Sequence, residues 1–221
     1  MSIITDPRLA RLWRNAQIHP EWAVTRLWEY LFNHVFFKED AFIVSSQQSP
    51  TRQPGELRRV DLVVEMMDSR ATTLGNLLFL QAKRASTLHS MTQEVEYRAF
   101  AAACALHVAT GLEHIWIMTC IHTAARLWIF SADSEFLIPF VPSDVGWGIP
   151  KDQYLESSTH GREILEGLEY IKEHITPPGD LRKSPALRPV SATLPTNWHD
   201  NEVAQLDARR QQASVEEGVT D

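Results

Sequence analysis

Three polar side chains interrupt two apolar runs of strand length in the middle of the chain. Asp61 lies in the run formed by residues 58–65, and both Gln81 and Lys83 lie near the end of the run formed by residues 76–84. The polar turn between these runs predicts a β-hairpin or meander. Residues two apart on a strand share a face, so Gln81 and Lys83 project together, and Asp61 on the neighbouring strand lies beside them. The pattern predicts a carboxylate, an amide and an ammonium at one end of a small sheet.

These three groups are what a metal-dependent phosphodiesterase requires. Oxygen ligands such as carboxylates hold hard cations. The cation polarises a phosphate and lowers the pKa of an attacking water, and a nearby lysine stabilises the developing negative charge. The alternative is a solvated strand end, because Asp and Lys are also common at exposed strand positions. The short Gln-x-Lys pattern leaves this alternative open.

The elements that position these residues are predicted from periodicity and breaker residues. Helices are expected at 6–18, 20–37, 90–110 and 160–174. Strands are expected at 41–48, in the two central runs, at 114–121 and 125–131, and as a short edge segment at 136–140. The order begins helix, strand, strand, strand, helix, strand. It predicts an α/β fold with a mixed central sheet flanked by helices, and an extra C-terminal strand and helix.

The length of 221 residues and the hydrophobic content of 44% predict one domain, residues 1–176, followed by a tail. Residues 177–221 carry five of the twelve prolines and more acidic than basic side chains, with no apolar period. This composition predicts a mostly disordered tail, available to a protein partner.

Composition also limits the environment and the partners. No apolar run is long enough for a membrane span, and the first residues lack the features of a secretory signal. Two cysteines far apart are expected to be buried free thiols, which favours an intracellular location, in the nucleus or cytoplasm. The nine histidines show no paired ligand spacing, so a structural zinc site is not expected. A net charge of −7 argues against a broad, non-specific nucleic-acid surface but leaves a local basic groove open.

The order of elements, with Asp61 on the second strand and Gln81-Ala82-Lys83 on the third, resembles the PD-(D/E)XK nuclease-like superfamily. The resemblance covers roughly residues 20–140 and extends to uncharacterised fungal members of that superfamily. Its further cues are Gln93 with Tyr97 after the lysine strand, Arg126-Leu127-Trp128 in a late strand, and Tyr154-Leu155 before the closing helix. The resemblance implies a restriction-endonuclease-like core.

The resemblance also implies roles for individual residues. Asp61 is expected to bind the metal ion and Lys83 to be the catalytic lysine. Glu29, in the second helix, is expected to be an extra ligand or to orient the water. Gln81 and the Ala82 carbonyl are expected to complete the coordination of Mg²⁺ or Mn²⁺.

Four further residues are expected to border the site and to contact substrate: Arg59, Arg84, Gln93 and Tyr97. The implied substrate is nucleic acid, either DNA or RNA. Many nucleases of this fold act as dimers, so a homodimer is one implied assembly.

The sequence supports two functional hypotheses. The first is a magnesium- or manganese-dependent nuclease. The second is a nuclease fold that has lost catalysis and serves as a binding or interaction module, because Gln81 stands where the family usually has Asp or Glu and contributes no charge. A role in self/non-self recognition or as a pathogen effector would rest on family analogy alone.

Overall fold

The computed structural model describes residues 2–19, 21–51, 57–67, 73–83, 90–142, 154–182 and 194–217. The helices are α1 (Pro7–Ile18), α2 (Glu21–Leu31), α3 (Ser90–Thr110), α4 (Gly161–Glu173) and α5 (Trp198–Glu217). The strands are β1 (Phe42–Gln48), β2 (Val60–Met67), β3 (Leu74–Lys83), β4 (His114–Ile121), β5 (Ala124–Ser131), β6 (Ile138–Val141) and β7 (Leu155–Glu156).

The strands of the described residues form one mixed, seven-stranded sheet in the order β1-β2-β3-β4-β5-β6, with β7 paired to β5. The β3–β4 pair is parallel and the others are antiparallel. A parallel pair needs a crossover connection, and α3 provides it. The predicted α/β fold with a mixed sheet flanked by helices is therefore confirmed.

Local signals explain where the first helices begin and end. The Asp6 carboxylate accepts hydrogen bonds from the backbone N–H groups of Arg8 and Leu9, which caps α1, and Pro7 follows at the first helical position. After Leu31, α2 widens into a π-helical turn at Phe32–Phe36. The sequence predicts one continuous helix here. The wider turn accompanies the burial of Phe32 and Phe36 in the core.

The sheet separates two hydrophobic layers. One face packs against α1, α2 and α4, and its strand residues include Leu62, Leu80 and Met118. The opposite face packs against α3 and α5 through Phe79 and Ile117 among others. Alternation of side chains along each strand produces this division. The two cysteines, Cys104 and Cys120, are free and buried, as the sequence predicts. A membrane crossing would need a longer or more apolar helix than any in the described part of the chain.

The C-terminal segment differs from the expectation of disorder, because α5 is a helix packed on α3. Leu206 is buried against the α3 face of the sheet, and the ring of Trp198 packs against that of Tyr97, tilted by 41°, with centroids 3.7 Å apart. Glu202, also buried, accepts hydrogen bonds from Arg58 at 2.6 Å and from the Tyr97 hydroxyl at 2.9 Å. One acidic side chain thus joins α5 to both α3 and the segment that leads into β2.

We expect Glu202→Ala to lower the free energy of unfolding by about 1–3 kcal/mol, because the half-buried Arg58 and Tyr97 each lose an acceptor. Asp207→Ala is the matched control, since Asp207 is an exposed acidic residue on the same helix. Urea denaturation followed by tryptophan fluorescence measures both. Equal stability of the two variants would contradict a structural role for Glu202.

Candidate functional site

A row of polar side chains crosses the sheet on the face that packs against α3. In the sheet register Gln81 pairs with Thr119, and Thr119 pairs with Arg126. Gln47 lies opposite Asp61, between the pairs Ser46–Leu62 and Gln48–Val60. The neighbouring pair Leu62–Leu80 continues to Gln81 opposite Asp61. Residues directly opposite one another share a face. We call Gln47, Asp61, Gln81, Thr119 and Arg126 the polar row. The predicted convergence of Asp61 with Gln81 is part of it.

The Asp61 carboxylate is buried and held by two close hydrogen bonds. Its Oδ2 accepts from the backbone N–H of Ala82 at 2.8 Å, and its Oδ1 accepts from the side-chain amide of Gln47 at 2.9 Å. The Arg98 guanidinium lies 3.7 Å from Oδ1. Burial raises the pKa of the Asp61 carboxyl above its ordinary value, and these neighbours offset that effect only in part.

Gln47, whose side chain donates to Asp61, has a backbone conformation that residues other than glycine seldom adopt. Its φ is +52°, in the left-handed region, at the position opposite Asp61. Such a conformation costs of the order of 1 kcal/mol and persists where surrounding contacts determine it. The hydrogen bond to Asp61 is the contact that the structure provides at this position. The energetic cost of the Gln47 backbone conformation is therefore linked to the hydrogen bond that holds the Asp61 carboxylate.

Gln81 is almost fully buried, and only half of its amide is satisfied. Its Nε2 donates to the backbone carbonyl of Arg59 at 3.0 Å, which fixes the orientation of the amide. Its Oε1 is buried and accepts no hydrogen bond in the described structure. A buried carbonyl oxygen without a donor is unfavourable, and it is a ready ligand for a cation.

Lys83 lies at the end of β3 between two carboxylates that helices bring to it. Its Nζ is 2.8 Å from Glu94 Oε1, in the first turns of α3, and 3.2 Å from Glu21 Oε2, at the start of α2. Burial opposes the charged form, but the two carboxylates outweigh it and raise the pKa of Lys83. The side chain is therefore an ammonium at neutral pH. Glu21 also accepts a bond of 3.2 Å from Arg98.

The structure places Glu21, rather than Glu29, at the site. Both belong to α2, and eight residues separate them, which corresponds to about 12 Å along the helix axis. Among the described residues, Glu29 shows a hydrogen bond to Asn33 through its backbone carbonyl, and no contact with Asp61 or Lys83. A helical pattern indicates that both acids lie on one helix but does not say which end meets the sheet.

The predicted substrate-contact residues have different surroundings. Tyr97 is half-buried beneath α5, where the Glu202 carboxylate accepts from its hydroxyl. Arg59 is exposed, and its carbonyl accepts from Gln81. Gln93 is exposed on α3. Arg84 lies outside the described residues.

A buried hydrogen-bonded group extends from the Thr119 and Arg126 end of the polar row, and its residues were not among the predicted site residues. The Thr119 hydroxyl accepts from the indole N–H of Trp128 at 2.8 Å and shares a hydrogen bond of 2.8 Å with the hydroxyl of Tyr154. Tyr154 in turn donates to the buried Glu96 carboxylate at 3.1 Å. The Arg126 guanidinium stacks over the Trp128 ring at 4.0 Å. An arginine within an apolar strand was the available signal, and it pointed to a buried charge that needs partners.

The Arg126 charge is held in the protein interior at a cost. Burial lowers the pKa of its guanidinium, and the charge of Glu96 acts in the opposite direction. Burial also raises the pKa of the Tyr154 hydroxyl, and the Glu96 charge adds to that effect. The tyrosine is therefore a neutral donor at physiological pH. This group of hydrogen bonds links α3 to β4 and β5 beside the site.

The donor set at the site consists of oxygen atoms and is sparse. No group of three His, Cys, Asp or Glu side chains within the described ranges is placed to hold a metal ion. The residues do offer one buried carboxylate, Asp61, and one buried amide oxygen without a donor, Gln81 Oε1. This chemistry fits a hard divalent cation rather than zinc.

Comparison of the chain with family models, with curated proteins and with solved structures gives no match.

We expect Asp61→Asn to be at least as stable as the wild type at neutral pH. The asparagine can accept from the Ala82 N–H and donate to a reoriented Gln47 amide, and it removes a buried charge. Because the folded-state pKa of Asp61 is raised, the cost of its ionisation is present above that pKa and disappears as the pH falls through it.

Urea denaturation between pH 4 and pH 8 checks this expectation. The advantage of Asp61→Asn should shrink as the pH falls toward the ordinary range of carboxyl groups. Asp40→Asn, at an exposed position, should show no comparable trend. A clear loss of stability in Asp61→Asn at pH 7 would mean instead that the charge stabilises the fold.

Proposed function

We propose that this chain is a metal-dependent phosphodiesterase that acts on nucleic acid, DNA or RNA, built on a restriction-endonuclease-like core. The observation that carries the proposal is the convergence of Asp61, Gln81 and Lys83 on one face of β2 and β3, with the Gln81 carbonyl oxygen buried and lacking a donor. The order α2, β1, β2, β3, α3, β4 agrees with the resemblance to the PD-(D/E)XK superfamily.

Asp61 and Gln81 are the residues that would hold Mg²⁺ or Mn²⁺, with the Ala82 carbonyl and Glu21 as further oxygen donors. When bound, the cation would polarise a phosphate and lower the pKa of a water molecule. The hydrogen bonds from Ala82 and Gln47 hold the Asp61 carboxylate in place. The carboxylate is thus oriented before any ligand arrives, which reduces the cost of binding.

Lys83 would stabilise the negative charge that develops on the phosphate. Its raised pKa keeps the ammonium charged, so electrostatic stabilisation or proton donation suits it better than the role of a general base. The carboxylates of Glu21 and Glu94 orient the ammonium from two helices. Local contacts of this kind are compatible with a chain of net charge −7.

We expect Lys83→Ala and Asp61→Asn each to lower the cleavage rate by at least about 100-fold. The assay measures cutting of single- and double-stranded DNA and RNA with Mg²⁺, Mn²⁺ or a chelator. Lys172→Ala is the matched control. Lys172 is a comparably buried lysine held by two carboxylates, Glu39 and Glu169, each at 3.0 Å.

Cleavage that needs metal, is lost in both site variants and is retained in Lys172→Ala would support the proposal. Cleavage by both site variants at the wild-type rate would refute the assignment of these residues. Far-UV circular dichroism of each variant shows whether a loss of activity comes from loss of the fold.

The second candidate is a binding or interaction module on the same fold. Gln81 is neutral, and the charges of Lys83 and Arg98 are already matched by carboxylates in the structure. Such a site can be stable without an added cation. The two candidates differ in one measurable property, because only the phosphodiesterase requires Mg²⁺ or Mn²⁺ binding that depends on Asp61.

A further inference from the structure

Arg98 joins two carboxylates that come from different elements of the fold. One terminal nitrogen, Nη1, lies 3.2 Å from Glu21 Oε1 on α2, and the other, Nη2, lies 3.7 Å from Asp61 Oδ1 on β2. The guanidinium therefore lies between the carboxylate proposed as the metal ligand and the acid at the start of α2. A cation bound by Asp61 and Glu21 together would need the same space.

We propose that Arg98 is the internal cation of this site and that it sets the affinity for a divalent metal ion by competing for Asp61. This inference rests on the proposed function, because it concerns the same metal site. It assigns to Arg98 an electrostatic role, as a competitor of the metal ion, that neither the sequence pattern nor the resemblance indicates.

The formal charge of the cluster supports the competition. Asp61, Glu21 and Glu94 carry three negative charges, and Lys83 and Arg98 carry two positive charges, which leaves −1. A divalent ion added to this set would make it +1. With Arg98 withdrawn, the same ion would bring the cluster to zero. Metal binding is therefore favoured when the guanidinium leaves.

The contacts of Arg98 allow it to leave while Asp61 remains in place. Its distance of 3.7 Å from Asp61 exceeds that of a hydrogen bond, and 29% of its side chain is exposed, so a route to solvent exists. Asp61, in contrast, keeps its bonds of 2.8 Å to Ala82 and 2.9 Å to Gln47. The carboxylate is held by the sheet, and the arginine only neutralises it.

The buried carbonyl oxygen of Gln81 gives a second reason to expect a ligand here. It belongs to the residue opposite Asp61, is almost fully buried, and accepts no hydrogen bond in the described structure. Arg98 neutralises Asp61 without supplying this oxygen with a donor. A hard cation would use both oxygens at once.

The test is a titration of the full chain with Mn²⁺, in phosphate-free buffer, by calorimetry and by electron paramagnetic resonance of free Mn²⁺. Arg98→Met removes the charge and keeps much of the side-chain stem, and Arg98→Gln is a second, polar variant. Arg162→Met is the matched control, because Arg162 is an exposed arginine on α4, away from the site, and is paired with Glu166 of the same helix.

We expect both Arg98 variants to bind Mn²⁺ at least about tenfold more tightly than the wild type, and Arg162→Met to bind like the wild type. Adding Asp61→Asn to Arg98→Met should abolish the gain. Far-UV circular dichroism and urea denaturation establish that each variant is folded, and with two Arg98 variants the result does not depend on the folding of one.

The other outcomes separate this inference from the proposed function. Equal Mn²⁺ affinity in the wild type and both Arg98 variants, with binding still lost in Asp61→Asn, would overturn the role of Arg98 and leave the metal site intact. No Mn²⁺ binding in any folded variant would overturn both this inference and the metal-dependent function. A gain that survives Asp61→Asn would place the metal elsewhere and overturn the inference.

Discussion

The carboxylate of Asp61 lies in a part of the sheet that is largely closed to water, and a buried charge is unfavourable unless it is compensated. Compensation comes from the N–H of Ala82 on β3, the amide of Gln47 on β1 and the charge of Arg98 on α3. Each contact requires a particular strand register or a particular rotation of the helix. The pairing of three strands and the seating of α3 are therefore coupled to a single ionised group, and so is the left-handed backbone of Gln47.

The same arrangement brings two helices to one lysine. Glu21, the first residue of α2, and Glu94, near the start of α3, both form ion pairs with Lys83. Arg98 forms a further ion pair with Glu21. The cluster is thus an alternating network of charges rather than an open acidic pocket. Its chemistry depends on how readily these pairs exchange for external ions. The neighbouring group around Thr119 and Tyr154 is more deeply buried than the ion pairs of Lys83 and Arg98, and it supports the sheet next to them.

Much of this structure could be predicted from the sequence, because the signals are local. The bounds of α3 and β4 follow from helix propensity, a closing glycine and one uninterrupted apolar run, and the predicted ranges agree with Ser90–Thr110 and His114–Ile121. The meeting of Asp61 with Gln81 follows from the period of two along adjacent strands. The involvement of Glu21 could not be predicted, because the crossing of α2 over the sheet is a tertiary property. The packing of α5 was missed because its buried residues are few and its composition is mostly polar.

The contact between Arg58 and Glu202 spans 144 positions of the chain, so it closes one of the longest loops in the fold. A ribosome adds α5 only after every strand of the sheet has been made. Until then the face of α3 that carries Tyr97 remains uncovered, together with the apolar surface that Leu206 later buries. The nascent chain therefore passes through a stage in which the sheet can form while the apolar surface beneath α5 is still exposed to solvent. Chaperone binding and aggregation during synthesis would act on that stage, and the last helix ends it.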